Sequence, residues 1–516
     1  MHASKPDPKK EEPQEEKSEA DARIRNATRG MGSLIAQNAI NSILGFVFLG
    51  ALLRLLPAVE YGEYSGVQVS IAIAGPIALL GFQYASARYV SINNQSESWV
   101  KAARSILVLS LITSAAVTLI FVLLAPLLSL YFMKSESSAW IFQLGGLWLF
   151  SSSISSIFQG FVQGKKKYSL LATILLVSRI IMVAFTLIGL ELFSNVSIAI
   201  TAWIIYGVII VAWALKLLGR ELLSKRKEEE NRSYYSEVLR YSFPLGVASL
   251  FVLLSSYADL VVVGGYLGPV ELAFYNAAVT VSAVLSVVLI LPLQTLILPG
   301  ASSSLGDEKA ISNVMRISFR FVMLVLLPAS LLLAGLSTQF ISLFSGGGGY
   351  LAGSQPLLLI ASFYVLDGFQ IAIYILMQAL GKTTRALIIA GFTAGIDAIF
   401  ALILVPHFGL IGGAVSKDLV AVLGLVLTIY LGKAYLKGLD KYSFYLKSLV
   451  PSIGIFVLTY GLSFIANRTL TLLPYSILAF LLFVLLLKAL RILTEEDRYF
   501  LSHVLPKSLQ KITRYI

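Results

Sequence analysis

A chain of 516 residues that is 57% hydrophobic and only 13% charged, with a mean hydropathy of +0.82, does not describe a water-soluble surface; the bilayer is its solvent. The formal charge of +12 suggests nucleic acid until its placement is read: the lysines and arginines sit in links between apolar runs, the pattern of a membrane protein with no nucleic-acid partner. Cysteine is absent and the three histidines, His2, His407 and His503, are far apart, so disulfides, thiolate chemistry and metal catalysis have no ligand set and no cofactor is expected.

In chain order, residues 1–30 are mixed in charge and rich in Pro and Glu, which predicts a disordered tail and no cleaved signal peptide. Apolar runs of about 20 residues, enough at 1.5 Å per residue to cross roughly 30 Å of hydrocarbon, then recur from Ser33 almost to Arg491. They predict an all-α polytopic membrane protein of about fourteen spans, near 33–55, 67–90, 105–130, 139–162, 169–190, 196–216, 241–264, 271–298, 317–341, 356–380, 386–405, 410–432, 444–466 and 472–490. Spans 1 to 6 make a first lobe, residues 31–218, and the charged stretch 219–239 makes a linker. Spans 7 to 12 make a second lobe, residues 240–433; residues 434–492 carry spans 13 and 14, and 493–516 are a second tail.

The links alternate sides, and 35 of the 40 lysines and arginines fall on one of them. Arg54, Lys134 and Arg468 fall on the other, while Arg179 and Lys417 lie within spans. Because positive charge is retained on the cytoplasmic side, both termini are expected in the cytoplasm, with the protein in the cytoplasmic membrane. The basic linker should also attract anionic membrane lipid.

An internal repeat supports two lobes. At an offset of 211, Val59, Glu60 and Tyr64 after span one fall on Val270, Glu271 and Tyr275 after span seven. At an offset of 217, Gly164 and Lys165 fall on Gly381 and Lys382. Six spans separate the copies, so both have the same orientation, which implies a pseudo-two-fold axis along the membrane normal and a central cavity.

A charge inside a span costs about 2.5 to 3.5 kcal/mol, so charges found there should line water or pair with one another. Arg179, in the middle of span five, is the leading ligand for a phosphate, or else locks helices by pairing with an aspartate. Asp259, Asp367 and Asp397 are candidates for coupling to H+ or Na+, or else are pinned by Arg179 or by Lys417 beside Asp418. Polar residues spaced three or four apart share a helix face: Gln37 and Asn41; Ser152, Ser156, Gln159 and Gln163; Asp367, Gln370, Tyr374 and Gln378. They are expected to face the cavity and bind sugar, the serines alternatively bonding between helices. Pro76, Pro244, Pro292 and Pro328 lie inside spans, where they bend helices as hinges or static kinks. Gly346 to Gly349 form an exposed link and no phosphate loop, because no GK[ST] follows.

Four stretches, RLLPAVEYGEY from Arg54, FQGFVQGKKKY from Phe158, YSFPLGVASL with Asp259 before VVVGGYLG, and LVPHFGLIGGA from Leu404, resemble one family in their order along the chain. It is the polysaccharide-exporter branch of the superfamily that also holds the multidrug and toxin extrusion antiporters and the lipid II flippases. The resemblance, over about 30–490, implies a flippase moving a polyprenyl phosphate or pyrophosphate glycan between leaflets by rocking of two lobes, and no enzyme. Arg54 and Arg88 resemble cationic positions at span ends in this superfamily; otherwise Arg54 pairs with Glu60 or Glu63 and Arg88 adds to the inner positive charge. A cation-coupled multidrug antiporter, a lipid II flippase and a membrane-embedded glycan enzyme are the alternatives, the last opposed by the lack of a large outer loop with paired carboxylates. Two fused lobes suit a functional monomer.

Overall fold

In the absence of water, each backbone N–H and C=O must find its partner within its own segment, so long apolar runs become helices. The computed structural model describes residues 40–92, 98–222, 234–287, 307–465 and 469–493, with a few single positions between 293 and 301, and no strand occurs among them. Gln37, Pro292, Arg468, the tail before residue 31, most of the 219–239 linker and nearly all of 493–516 lie outside the described residues.

Helix α1 runs from Ile40–Leu55, α2 from Ala58–Leu79 and α3 from Phe82–Ile92. They are followed by α4 (Ser98–Leu123), α5 (Ala125–Met133), α6 (Ala139–Gly164), α7 (Tyr168–Phe193) and α8 (Val196–Leu222). The second half holds α9 (Tyr234–Leu267), α10 (Pro269–Leu285), α11 (Glu308–Phe321), α12 (Leu327–Gly335), α13 (Ser337–Ser345), α14 (Ser354–Ala379) and α15 (Thr383–Gly432). Two more, α16 (Tyr442–Ile465) and α17 (Leu472–Ala489), pack on each other and α16 packs on α12.

Among the described residues ten helices are long and apolar enough to cross a bilayer, eleven with α2 and α3 taken as one bent span. At 1.5 Å per residue α15 would be about 75 Å long if straight, over twice a hydrocarbon core. It breaks at Gly409, whose φ of 59° and ψ of −135° lie where a side chain is not tolerated, between the predicted spans 11 and 12.

Several local expectations are corrected. The LLPAVEYGEY stretch read as a link is helical from Ala58, because Pro57 precedes it and the tyrosines and glycines behind it are buried. Pro76 stays within α2, and the 42° bend falls at Leu80 and Gly81, both with positive φ. Ahead of Pro328 the chain makes a widened turn, Val322–Leu326, which takes up the hydrogen bond that proline cannot donate.

Helix pairs across the repeat show its register. α2 and α10 begin at Ala58 and Pro269, an offset of 211, as the residues implied. α6 and α14 are both 26 residues long and begin at Ala139 and Ser354, an offset of 215. The turns after them repeat one hydrogen-bond pattern, Lys167 N–H to Val162 C=O and Lys382 N–H to Met377 C=O. Lys166, with positive φ, therefore stands where Gly381 stands, and the matching of Gly164 to Gly381 is two residues out.

The lobes meet along α2 and α3. Taking the lysine-poor side as outer, Gly62 lies against the Pro269 backbone: a Cβ there would stand 2.1 Å from its carbonyl oxygen. Toward the inner side, a Cβ at Gly246 of α9 would come within 2.6 Å of the Leu80 carbonyl carbon. Both approaches need glycine, and the acceptor is unyielding backbone. Gly62→Ala should therefore cost about 1 to 3 kcal/mol, read as a lower unfolding temperature in detergent, and an unchanged temperature would remove this contact from the fold's requirements.

Candidate functional site

Between the lobes lies a cavity of about 240 Å³ lined by α1, α2, α7, α8 and α10. Arg179 of α7 projects into it. Its guanidinium carbon is 4.8 Å from the Trp203 ring and 5.6 Å from the Phe48 ring, and one terminal nitrogen donates to the Met182 sulfur at 3.3 Å. Among the described residues no carboxylate lies in salt-bridge distance of Arg179, so the helix-locking pair is not what the structure shows. A desolvated cation over an aromatic face gains on the order of 2 kcal/mol, so the rings hold the charge without neutralising it. Sulfur is a weak acceptor, which leaves the fork available to a stronger one.

The walls are aromatic and hydroxylated. Trp203 donates its indole N–H to the Tyr64 hydroxyl at 3.0 Å, Trp148 stacks behind Trp203 at 5.3 Å between centroids, and Tyr61 stacks on Tyr64 at 6.0 Å. Asn276 of α10 donates across the lobes to Ser65 at 2.8 Å and to Gln68 at 3.3 Å. Gln68 and Thr280 reach the cavity from opposite lobes.

The outer side is closed by backbone acceptors. Arg54, at the end of α1, donates to the carbonyls of Leu343 at 2.6 Å and Phe344 at 3.3 Å, the last turn of α13, where a cation also meets the negative end of the helix dipole. Gly346 caps that turn with a φ of 69° and packs on Arg54, so the glycine link is anchored at its first residue. Tyr350 donates to the Leu56 carbonyl at 3.0 Å, and burial raises its hydroxyl above the ordinary range, keeping it a donor. Glu60 and Glu63, offered as partners for Arg54, are engaged elsewhere: Glu60 accepts the Val196 N–H at 2.8 Å at the start of α8, and Glu63 accepts from Ser138. Arg54→Ala should loosen this closure. The chain has no cysteine, so spin labels at Val59→Cys and Leu351→Cys form a unique pair, and a longer or broader distance distribution is expected; an unchanged one would deny Arg54 a gating role.

A second cluster fills the other lobe. Lys417 of α15 pairs with Asp259 of α9 at 2.8 Å, and the Tyr275 hydroxyl donates to the same oxygen at 2.7 Å. Asp397 accepts the Asp259 N–H at 3.3 Å and the Ser416 hydroxyl at 3.3 Å, while Asp367 and Asp418 lie within electrostatic reach of Lys417. Asp259 and Asp397 are 0% and 1% exposed, and one Asp259 oxygen has no hydrogen-bond partner among the described residues. Four carboxylates thus share one ammonium. Of the two partners the sequence allowed these aspartates, the structure selects Lys417.

By the repeat's own offsets Tyr64 corresponds to Tyr275 and Met182 to Asp397. Matching backbone positions carry a cation held by rings and sulfur in one lobe, and carboxylates around a lysine in the other.

The remaining candidates lie apart from the Arg179 cavity. Arg88 stacks its guanidinium 4.4 Å above the Tyr241 ring at the inner end of α3. Gln163 and Gln378 occupy equivalent last turns of α6 and α14 and are exposed, and Gln159 is half-buried on α6. Ser152 and Ser156 donate to their own helix, to Leu149 at 3.0 Å and Ser152 at 2.8 Å, the local bond that short hydroxyls favour. Gln370 turns toward Gly424 with its amide oxygen buried and without a hydrogen-bond partner among the described residues, and Tyr374 shares a hydrogen bond with Gln378. Asn41 is half-buried beside the lining residue Ser42, with its amide oxygen also unpartnered among the described residues. Trp203, Tyr64, Phe48, Gln68 and Thr280 were missed; only Tyr64 carried a signal, as a repeated position.

Two helical lobes around a charged interlobe cavity define a multi-pass membrane transporter. The polysaccharide biosynthesis protein family matches residues 27–305, more than half of the chain, and the MatE family matches 244–403. The chain belongs to the polysaccharide biosynthesis protein family, in the superfamily that joins multidrug and polysaccharide transporters. No curated protein matches it in sequence. Among solved structures, the lipid II flippase MurJ in an inward closed conformation is 15% identical, with 88% of this chain and 97% of that one covered at a TM-score of 0.72. An inward-facing multidrug resistance MATE family transporter is 17% identical over 77% and 96%, at 0.57. A MOP superfamily transporter from Pyrococcus furiosus Vc1 is 17% identical over 80% and 97%, at 0.55. These likenesses are of fold.

Proposed function

We propose that this protein is a flippase that moves polyprenyl-phosphate- or pyrophosphate-linked oligosaccharide across the cytoplasmic membrane by alternating access, with fourteen spans and both termini in the cytoplasm. The observation that carries this reading is Arg179: an arginine without an acidic partner among the described residues, between two aromatic rings in an interlobe cavity. A phosphate supplies the two parallel acceptors that a guanidinium fork fits. The rings and the side chains of Gln68 and Thr280 suit the apolar faces and hydroxyls of a sugar. The fourteen spans follow if α1, α10 and each half of α15 cross, and the charge pattern supports the orientation.

The carboxylate and Lys417 cluster supports a coupling role for Asp259, Asp367 and Asp397, since a buried group that exchanges H+ or Na+ can bias the rocking of its lobe. A multidrug antiporter for organic cations is disfavoured because the cavity's fixed charge is positive and the acids lie in the other cluster. Lipid II flipping shares the phosphate chemistry and remains the second reading, on the likeness of fold to MurJ.

Deleting the gene should cause polyprenyl-linked glycan to accumulate and surface polymer to fall, measured by mass spectrometry of lipid extracts. Unchanged glycan lipids with heightened sensitivity to organic cations would overturn the proposal in favour of the antiporter, and accumulated lipid II would select the second reading.

A further inference from the structure

At the inner end of the second lobe the first turns of α11 face the chain that joins α15 to α16. A cavity of about 430 Å³ opens between them, lined by Lys309, Ser312, Asn313 and Arg316 on the helix and by Lys437 on the connection, with Glu308 the one acid lining it among the described residues. Its walls are fixed to each other. The Ser312 hydroxyl accepts the Gly438 N–H at 2.8 Å, the Arg316 side chain donates to the Asn313 amide oxygen at 3.2 Å, and beneath them Arg320 holds Asp440 at 2.9 Å under the Phe444 ring. That ion pair neutralises Asp440. Neither Lys309 nor Lys437 has an acidic partner among the described residues, and both are exposed. The N–H groups at the start of α11 are already taken by Asp307, so the cavity offers side-chain cations and no helix-end amides.

The depth of this cavity in the membrane can be read from its neighbours. α11 is amphipathic through Arg320, with Ile311, Met315 and Phe319 buried and its charges on the other face, and the chain is continuously apolar from Phe321, which marks the boundary between headgroups and hydrocarbon. Tyr430 and Tyr442, 66% and 87% exposed on the two flanking helices, are the amphipathic rings that settle at that level. An anion bound here would sit among headgroups with the exposed apolar residues Val426, Ile429, Leu446 and Val450 of the two flanking helices beside it, which suits a ligand that carries an acyl tail.

We propose that this inner cavity is a binding site for the phosphate headgroup of an anionic phospholipid, separate from the interlobe cavity that holds Arg179. Lys309 and Lys437 neutralise the phosphate from opposite walls, Arg316 and Asn313 supply directional donors, and the acyl chains lie along the exposed apolar residues of the flanking helices, Val426 and Ile429 of α15 and Leu446 and Val450 of α16.

The test is native mass spectrometry of the purified full-length protein incubated with phosphatidylglycerol, with phosphatidylcholine, and with phosphatidylglycerol plus an equal concentration of inorganic phosphate. Wild type should retain phosphatidylglycerol and not phosphatidylcholine. Lys309→Gln with Lys437→Gln should lower that retention by about tenfold or more at an unchanged unfolding temperature, while Lys382→Gln, on another inner turn, should not. Equal retention by the double variant would overturn the site, as would equal retention of phosphatidylcholine. Displacement by inorganic phosphate at matched concentration would assign the cavity to a soluble phosphate and overturn the lipid as its occupant.

Discussion

Arg179→Ala is expected to reduce movement of lipid-linked glycan in proteoliposomes by about 10- to 100-fold, the worth of one charged hydrogen-bonded contact of about 1.5 to 3 kcal/mol. The unfolding temperature should stay the same or rise. A structural arginine that pairs with a buried acid would behave in the opposite way, because its removal strands a charge. Arg179 has the Met182 sulfur and two ring faces, and no carboxylate partner among the described residues, so little is lost from the fold when it goes. Arg179→Lys keeps the charge and loses the fork, and should retain part of the activity. A drop in both transport and unfolding temperature for Arg179→Ala would reassign the residue to architecture.

Lys417→Ala should do the reverse. It leaves Asp259 fully buried beside Asp397 with no compensating cation, and breaking such a pair from one side costs about 3 to 5 kcal/mol. The unfolding temperature should fall clearly in Lys417→Ala and recover in the double variant Lys417→Ala with Asp259→Asn, which removes both charges. Transport then separates two roles. If the cluster only pins helices, the double variant transports once its stability has recovered. If it couples to an ion, the double variant is stable and its transport no longer responds to an imposed H+ or Na+ gradient.

The helices were legible because the bilayer leaves the backbone few choices: apolar length and the side preference of lysine and arginine located most spans to within a few residues. The LLPAVEYGEY stretch was misplaced because its proline, two glutamates and glycine carry the composition of a loop. Those polar groups serve tertiary contacts, Glu60 at the start of α8 and Gly62 against Pro269, which no local pattern announces. Arg179 stood out because a charge is rare inside a span, whereas Trp203 and Phe48 did not, since an aromatic residue facing a cavity and one facing lipid read alike. The glutamine stripes shared a helix face as their spacing required, but which neighbour that face meets depends on lobe packing: Gln370 turned toward Gly424 and the serines toward their own backbone. The repeat register failed at Gly164 because glycine was matched to glycine, while the left-handed turn position is held by Lys166 in one copy and Gly381 in the other.

The outer closure joins a side chain on one lobe to main-chain oxygens on the other, Arg54 to the carbonyls of Leu343 and Phe344. Every residue at those two positions would present the same oxygens, so random change at 343 and 344 leaves the acceptors in place, whereas nearly any change at 54 removes the donor. Tolerance to mutation should therefore be lopsided across the seam, and a genetic screen for variants that fail to shut would recover hits on the first lobe and almost none at their contacts on the second.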